Sequence, residues 1–127
     1  MEFGYKKQSL LLFAETVEKI KAELAKEGFG VITEIDAKET FKKKLGVEFE
    51  DYVILGACHP ATALAVLKQN KEMGLMLPCN VIAYEEGGNI FVSAILPTVA
   101  MSIVTNSDLD KIAKEVEEKL KKVIDAV

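Results

Sequence analysis

A pair of glycines constrains the fold more than any other feature. Cys79 to Glu85 and Asn89 to Leu96 both read as strands, and only Glu86-Gly87-Gly88 separates them. Gly-Gly between two such runs marks a hairpin, because tight hairpin turns need positive φ and glycine adopts it without a steric penalty. A hairpin means antiparallel pairing. It therefore weighs against a doubly wound parallel sheet, the main rival for a chain that alternates strands with helices. That rival also wants a glycine-rich phosphate turn after a strand, and this chain has none.

The remaining elements follow from periodicity and punctuation. Phe3 to Ser9 reads as a first strand. Phe13, Val17, Ile20 and Leu24 recur at steps of four, three and four, which predicts an amphipathic helix stopped at Gly28. Phe29 to Ile35 is rich in β-branched residues and predicts a strand. Asp36, with Glu39 three residues on, is a capping-box start for a second helix that Gly46 ends. Tyr52 to Ala57 is nearly continuous in apolar residues, as in a buried central strand. Pro60 suits a first helical turn, which puts His59 near the N-cap. Ala61 to Asn70 is then a helix with Ala63, Leu64 and Leu67 on one side, and Met73 to Leu77 is an apolar connection. Pro97 opens a short helical stretch to Val104. Asn106-Ser107-Asp108 caps a last helix striped by Leu109, Ile112, Val116, Leu120 and Val123. The expectation is a single α+β domain over 1–127. Its mixed, largely antiparallel sheet has about five strands with helices packed against it, in the order β-α-β-α-β-α-β-β-α-α.

Composition narrows the function classes. Half of the 127 residues are hydrophobic, which is ample for a core without disulfides or metals. The surplus points to a subunit interface, since monomers rarely expose large apolar patches. The net charge is −4, and the basic runs Lys42-Lys43-Lys44 and Lys119 with Lys121-Lys122 fall near predicted helix ends, where cations suit the dipole. No nucleic-acid partner is expected. No stretch approaches the length of a membrane span, and Ser9 to Ala14 is too short for a signal-peptide core, so no membrane partner is expected either. Two cysteines without a secretion signal suit the reducing cytoplasm.

Chemistry concentrates in two segments. Leu55 to Pro60 and Leu75 to Ile82 hold both cysteines, the lone histidine and two of the three prolines. Cys58 and Cys79 are the candidate nucleophiles. Cys58 stands just ahead of a helix start, where backbone N–H groups favour a thiolate. The competing reading makes both thiols small buried hydrophobes. A zinc site is weakly supported: Cys58, His59 and Cys79 give three ligands, and Glu34 or a second subunit has to supply the fourth. Asn80 follows Cys79 inside a strand, where asparagine is disfavoured, so it faces solvent or bonds something specific. Glu34 and Asp36 read first as a strand-end carboxylate and a helix cap. His59, Pro78, Asn80 and Glu34 are the candidate binding residues. Met73, Met76 and Met101 suit an adaptable apolar lining. No phosphate loop, nucleophile elbow or paired histidines are present, and no cofactor is expected.

These segments also carry a resemblance. Glu27-Gly28-Phe29-Gly30-Val31, Thr33 to Asp36, Lys44 to Val47, Tyr52 to Cys58, Met73 to Val81 and Tyr84-Glu85 together resemble the family called domain of unknown function 302. Leu77-Pro78-Cys79-Asn80-Val81 is the most distinctive string. The resemblance covers nearly the whole chain. It implies a small α+β domain that forms a homodimer, and no established activity, cofactor or catalytic residue. Two positions depart from the family pattern. His59 stands where asparagine usually precedes the proline; asparagine caps helices well and histidine poorly, so the resemblance implies a capping role for the position and requires no catalytic role of His59. Leu12 stands where a small polar cap is common, leaving Ser9 to cap the first helix or an irregular start.

Overall fold

A computed structural model, describing residues 2–104 and 106–127, shows five strands and five helices joined by short connections. The strands are β1 (Gly4–Ser9), β2 (Gly30–Asp36), β3 (Tyr52–Cys58), β4 (Cys79–Glu86) and β5 (Asn89–Ile95). They lie in the order β1-β5-β4-β3-β2. Every neighbouring pair is antiparallel, so the α+β class holds and the sheet is wholly rather than largely antiparallel. Gly87 and Gly88 both have positive φ, 59° and 82°, as the two central residues of the β4–β5 hairpin require.

The helices are α1 (Phe13–Lys26), α2 (Ala37–Leu45), α3 (Pro60–Gln69), α4 (Pro97–Ala100) and α5 (Ser107–Ala126), with a 3₁₀ turn over Lys71–Met76. Alternation along the strands decides which face they cover. Leu55, Val81 and Val92 point to one face and pack against Ile20 and Leu24 of α1 and Leu120 and Ile124 of α5. This is the main core. A smaller cluster of Val66, Met73, Met101, Leu109 and Ala113 joins α3, the 3₁₀ turn and the start of α5. Between α4 and α5, Thr98 Oγ1 donates to Glu117 Oε1 at 2.7 Å and ties the two together.

Among the described residues the opposite sheet face has no helical layer over β4 and β5; α2 borders it at β3, where Phe41 meets Phe49 with ring centroids 5.2 Å apart. Tyr52 pairs with Tyr84 and Tyr84 with Phe91 across that face, with ring centroids 5.6 Å apart at each step. Phe49 continues this row beyond Tyr52, and the Lys6 ammonium caps it 4.4 Å from the Phe91 ring centre. Beside it runs a second row, Ile35, Ile54 and Ile82, set by the β2–β3 and β3–β4 registers.

One local expectation needs correction, and another is met. The buried side of α3 centres on Val66, while Leu64 faces solvent, because α3 presents its core side to Met73 and Leu109 rather than to the sheet. The start of α1 is irregular: Leu12 occupies the N-cap with no side-chain bond. Ser9 Oγ instead accepts from Leu11 N and bonds Thr16 Oγ1, and Glu15 Oε1 accepts from Leu12 N.

Candidate functional site

An apolar cavity of about 290 Å³ lies where β3 ends and β4 begins. The chain makes it in pieces. β3 delivers Ala57 and Cys58, and the next two residues, His59 and Pro60, start α3 across the strand ends. α3 turns Thr62, Ala63 and Val66 toward the cavity, and Ile112, Ala113 and Val116 of α5 form the facing wall. Leu77, Pro78 and Cys79 close one side, beside Pro97 and Met101. A bulge between Val31 and Thr33 swings Ile32 out of the β2 ladder to the rim. A smaller cavity of about 240 Å³ adjoins it, sharing Pro78 and Cys79 and bordered by Asn80.

Gly56 shows why the Pro78 segment fits so closely. A Cβ there would lie 2.8 Å from Pro78 Cγ and collide with Thr33 Oγ1. The bare backbone at Gly56 lets the cis Leu77–Pro78 peptide lie against β3.

The two thiols border the same cavity from adjacent strands. Cys79 is opposite Ala57 in the ladder, one residue out of step with Cys58. Both are free and half-buried. Burial, and then the charge of Cys58, push the Cys79 thiol up to about 11. Cys79 is therefore protonated at neutral pH, the opposite of an activated nucleophile.

His59 is held on four sides. Its ring meets Phe29 edge-on at 5.4 Å. Gly28, with φ of +83°, leaves room for it, since a Cβ there would come within 3.0 Å of Nε2. Nδ1 lies 2.9 Å from Thr62 Oγ1, and Nε2 lies 3.4 Å from Lys119 Nζ. An ammonium has no lone pair, so Nε2 is the acceptor in that contact. The ring proton then sits on Nδ1 and is donated to the Thr62 hydroxyl.

The structure thus brings Cys58, His59, Pro78 and Cys79 together. Asn80 sits beside them on the open sheet face, opposite Gly56, and is exposed. Glu34 stands apart on edge strand β2, where it pairs with Lys21 at 2.7 Å and raises that ammonium's pKa. Among the described residues no group of three or more His, Cys, Asp or Glu side chains is placed to hold a metal ion. Thr62 and Lys119 are the residues that sequence reasoning passed over. Lys119 did leave a signal: it flanks the apolar stripe of α5, three residues after Val116 and four before Val123.

Fold and site together define an α+β domain with one helix-covered sheet face and an apolar pocket at the strand ends. The chain belongs to the family described as domain of unknown function DUF302, which matches residues 5–127. It is similar to the crystal structure of an uncharacterized conserved DUF302 protein from Bacillus stearothermophilus, with 31% identity and a TM-score of 0.93. That match covers 99% of this chain and 98% of the other. No curated protein matches the chain.

Proposed function

We propose that this protein is a cytoplasmic, homodimeric binding module whose ligand is a small, mostly apolar molecule held between α3, α5 and the β3–β4 strand ends. The observation that carries this reading is the cavity itself. Its volume is about 290 Å³ and its lining is apolar except at the His59–Thr62 corner and the two thiols. An apolar cavity of about 150 Å³ suffices to bind benzene, so this one has room for an arylalkyl or bicyclic molecule. The raised pKa of Cys79 counts against sulfur chemistry at that residue, which leaves Cys58 to carry the alternative thiol-active reading. The two free thiols favour a reducing compartment.

The dimer reading rests on the open sheet face. Five strands spaced about 4.8 Å apart and about 20 Å long give a planar footprint of roughly 480 Å², to which side-chain relief adds, against ~800 Å² per partner in a standard interface. Its rows of Tyr52, Tyr84 and Phe91 and of Ile35, Ile54 and Ile82 are the kind of surface a second copy covers.

The test is ligand-observed NMR with indole, p-cresol and phenylacetate, repeated on Ala63→Phe. Ala63 borders the cavity from half-exposed α3, so a phenyl ring there fills the space with little cost to folding. Binding of at least one probe to the wild type, lost in Ala63→Phe, is the expected outcome. Binding of none of them, or binding that survives the filled cavity, would overturn the reading.

A further inference from the structure

The polar corner of the cavity has a fixed direction, and that direction selects a ligand. Lys119 donates to His59 Nε2, so His59 donates from Nδ1 to Thr62 Oγ1. The Thr62 hydroxyl has thus received a hydrogen bond and still has its own proton to give. Thr16 and Thr40 spend theirs on the backbone carbonyl four residues back, at 2.9 Å and 2.8 Å. Thr62 makes no such bond among the described residues, although it too lies in the first turn of a helix, and it borders the cavity. Among the described residues this donor has no acceptor, and it sits at the edge of an otherwise apolar space.

The charge behind it is the Lys119 ammonium. Among the described residues Lys119 has no carboxylate within ion-pairing distance, whereas Lys121, two residues on, pairs with Glu117 at 3.7 Å. An uncompensated ammonium at the end of a hydrogen-bonded chain polarises each link in the same sense, toward a negative acceptor at the Thr62 end. An amine ligand meets a like charge there, and a hydrocarbon leaves the hydroxyl unsatisfied.

We propose that the cavity takes a small apolar carboxylate, its body between α3 and α5 and its carboxylate accepting the Thr62 hydroxyl proton under the charge of Lys119. This rests on the pocket reading above and adds the chemistry of the ligand to it. His59 and Lys119 are positioning residues; Thr62 makes the contact.

His59 is the only histidine, so its ring protons give one unambiguous NMR reporter at the site. The experiment titrates phenylacetate, phenylacetamide and phenethylamine, which share a body and differ in the head, with indole as the headless control. Phenylacetate is expected to bind roughly tenfold or more tighter than the amide, the difference between a charged and a neutral hydrogen bond, and the amine not to bind. Lys119→Gln, at a half-exposed position, should bring acid and amide within a few-fold of each other. Thr62→Val should weaken both and leave indole unchanged. Should Thr62→Val fail to fold, the Lys119→Gln comparison decides alone. An amide that binds as tightly as the acid, or indole binding without the acid, overturns this proposal while the pocket stands. Failure of all four compounds, together with p-cresol, overturns both.

Discussion

At the residue scale, Cys79 links the cavity to pH. Its thiol rises from 9.0 to about 11 on folding, chiefly through burial. The folded state therefore holds this proton more tightly than the unfolded chain does. The stabilisation is fully present below 9.0 and is lost as pH climbs through the window from 9.0 to about 11. Its size is on the order of 2–3 kcal/mol at most. Urea denaturation on either side of that window should show a steeper alkaline loss in the wild type than in Cys79→Ala. Parallel slopes in the two proteins would sink the assignment. The residues of the site were unevenly legible. Cys58, His59, Pro78 and Cys79 stood out because reactive types are scarce here, and the topology does gather them. Glu34 looked equally eligible on paper. Its fate depended on which strand lay at the sheet edge and on a lysine from α1, and neither is visible in a linear reading.

At the scale of elements, punctuation carried most of the information. Asp36 caps α2 by accepting from Glu39 N at 3.0 Å, and Gly46 closes that helix at φ 64°, both at positions the sequence marks. Asn106 caps α5 with bonds from Asp108 N and Leu109 N. Asn106→Ala should cost about 1 kcal/mol of unfolding free energy. The N-terminus of α1 offers the reverse experiment. Leu12 holds an extended N-cap backbone, is exposed and contributes no side-chain bond, so Leu12→Ser should stabilise the fold by a comparable amount. Chemical denaturation reads both, and a Leu12→Ser protein no more stable than wild type would show that the Ser9 bond already does the work of a cap. The side of α3 that packs inward was harder to foresee. Its apolar residues nearly encircle it, so periodicity could not choose Val66 over Leu64 until the 3₁₀ turn supplied Met73 as a neighbour.

At the scale of the whole molecule, one hairpin settled the sheet class, but strand order needed the structure. β1 lies beside β5, a pairing between opposite ends of the chain for which no local signal exists. The open face predicts association. Ile82→Glu places a carboxylate in the middle of that face without touching the core side of β4. Sedimentation at micromolar concentration should give a dimer for the wild type and a monomer for Ile82→Glu, with unchanged circular dichroism. A wild type that sediments as a monomer would remove the dimer from the proposal.

The β1–β5 pairing also bears on how the molecule is made. On a ribosome the first strand emerges with no neighbour, and Gly4 finds its partner Ile95 only after three-quarters of the chain has followed. The wall of the cavity formed by Ile112, Ala113 and Val116 arrives later still. Closure of so distant a contact is slow, and until then the apolar side of the central strands has only α1 to shield it. Translation that stalls before α5 therefore leaves an aggregation-prone fragment rather than a smaller working protein, and the cavity gains its facing wall only when the first half of α5 has been made.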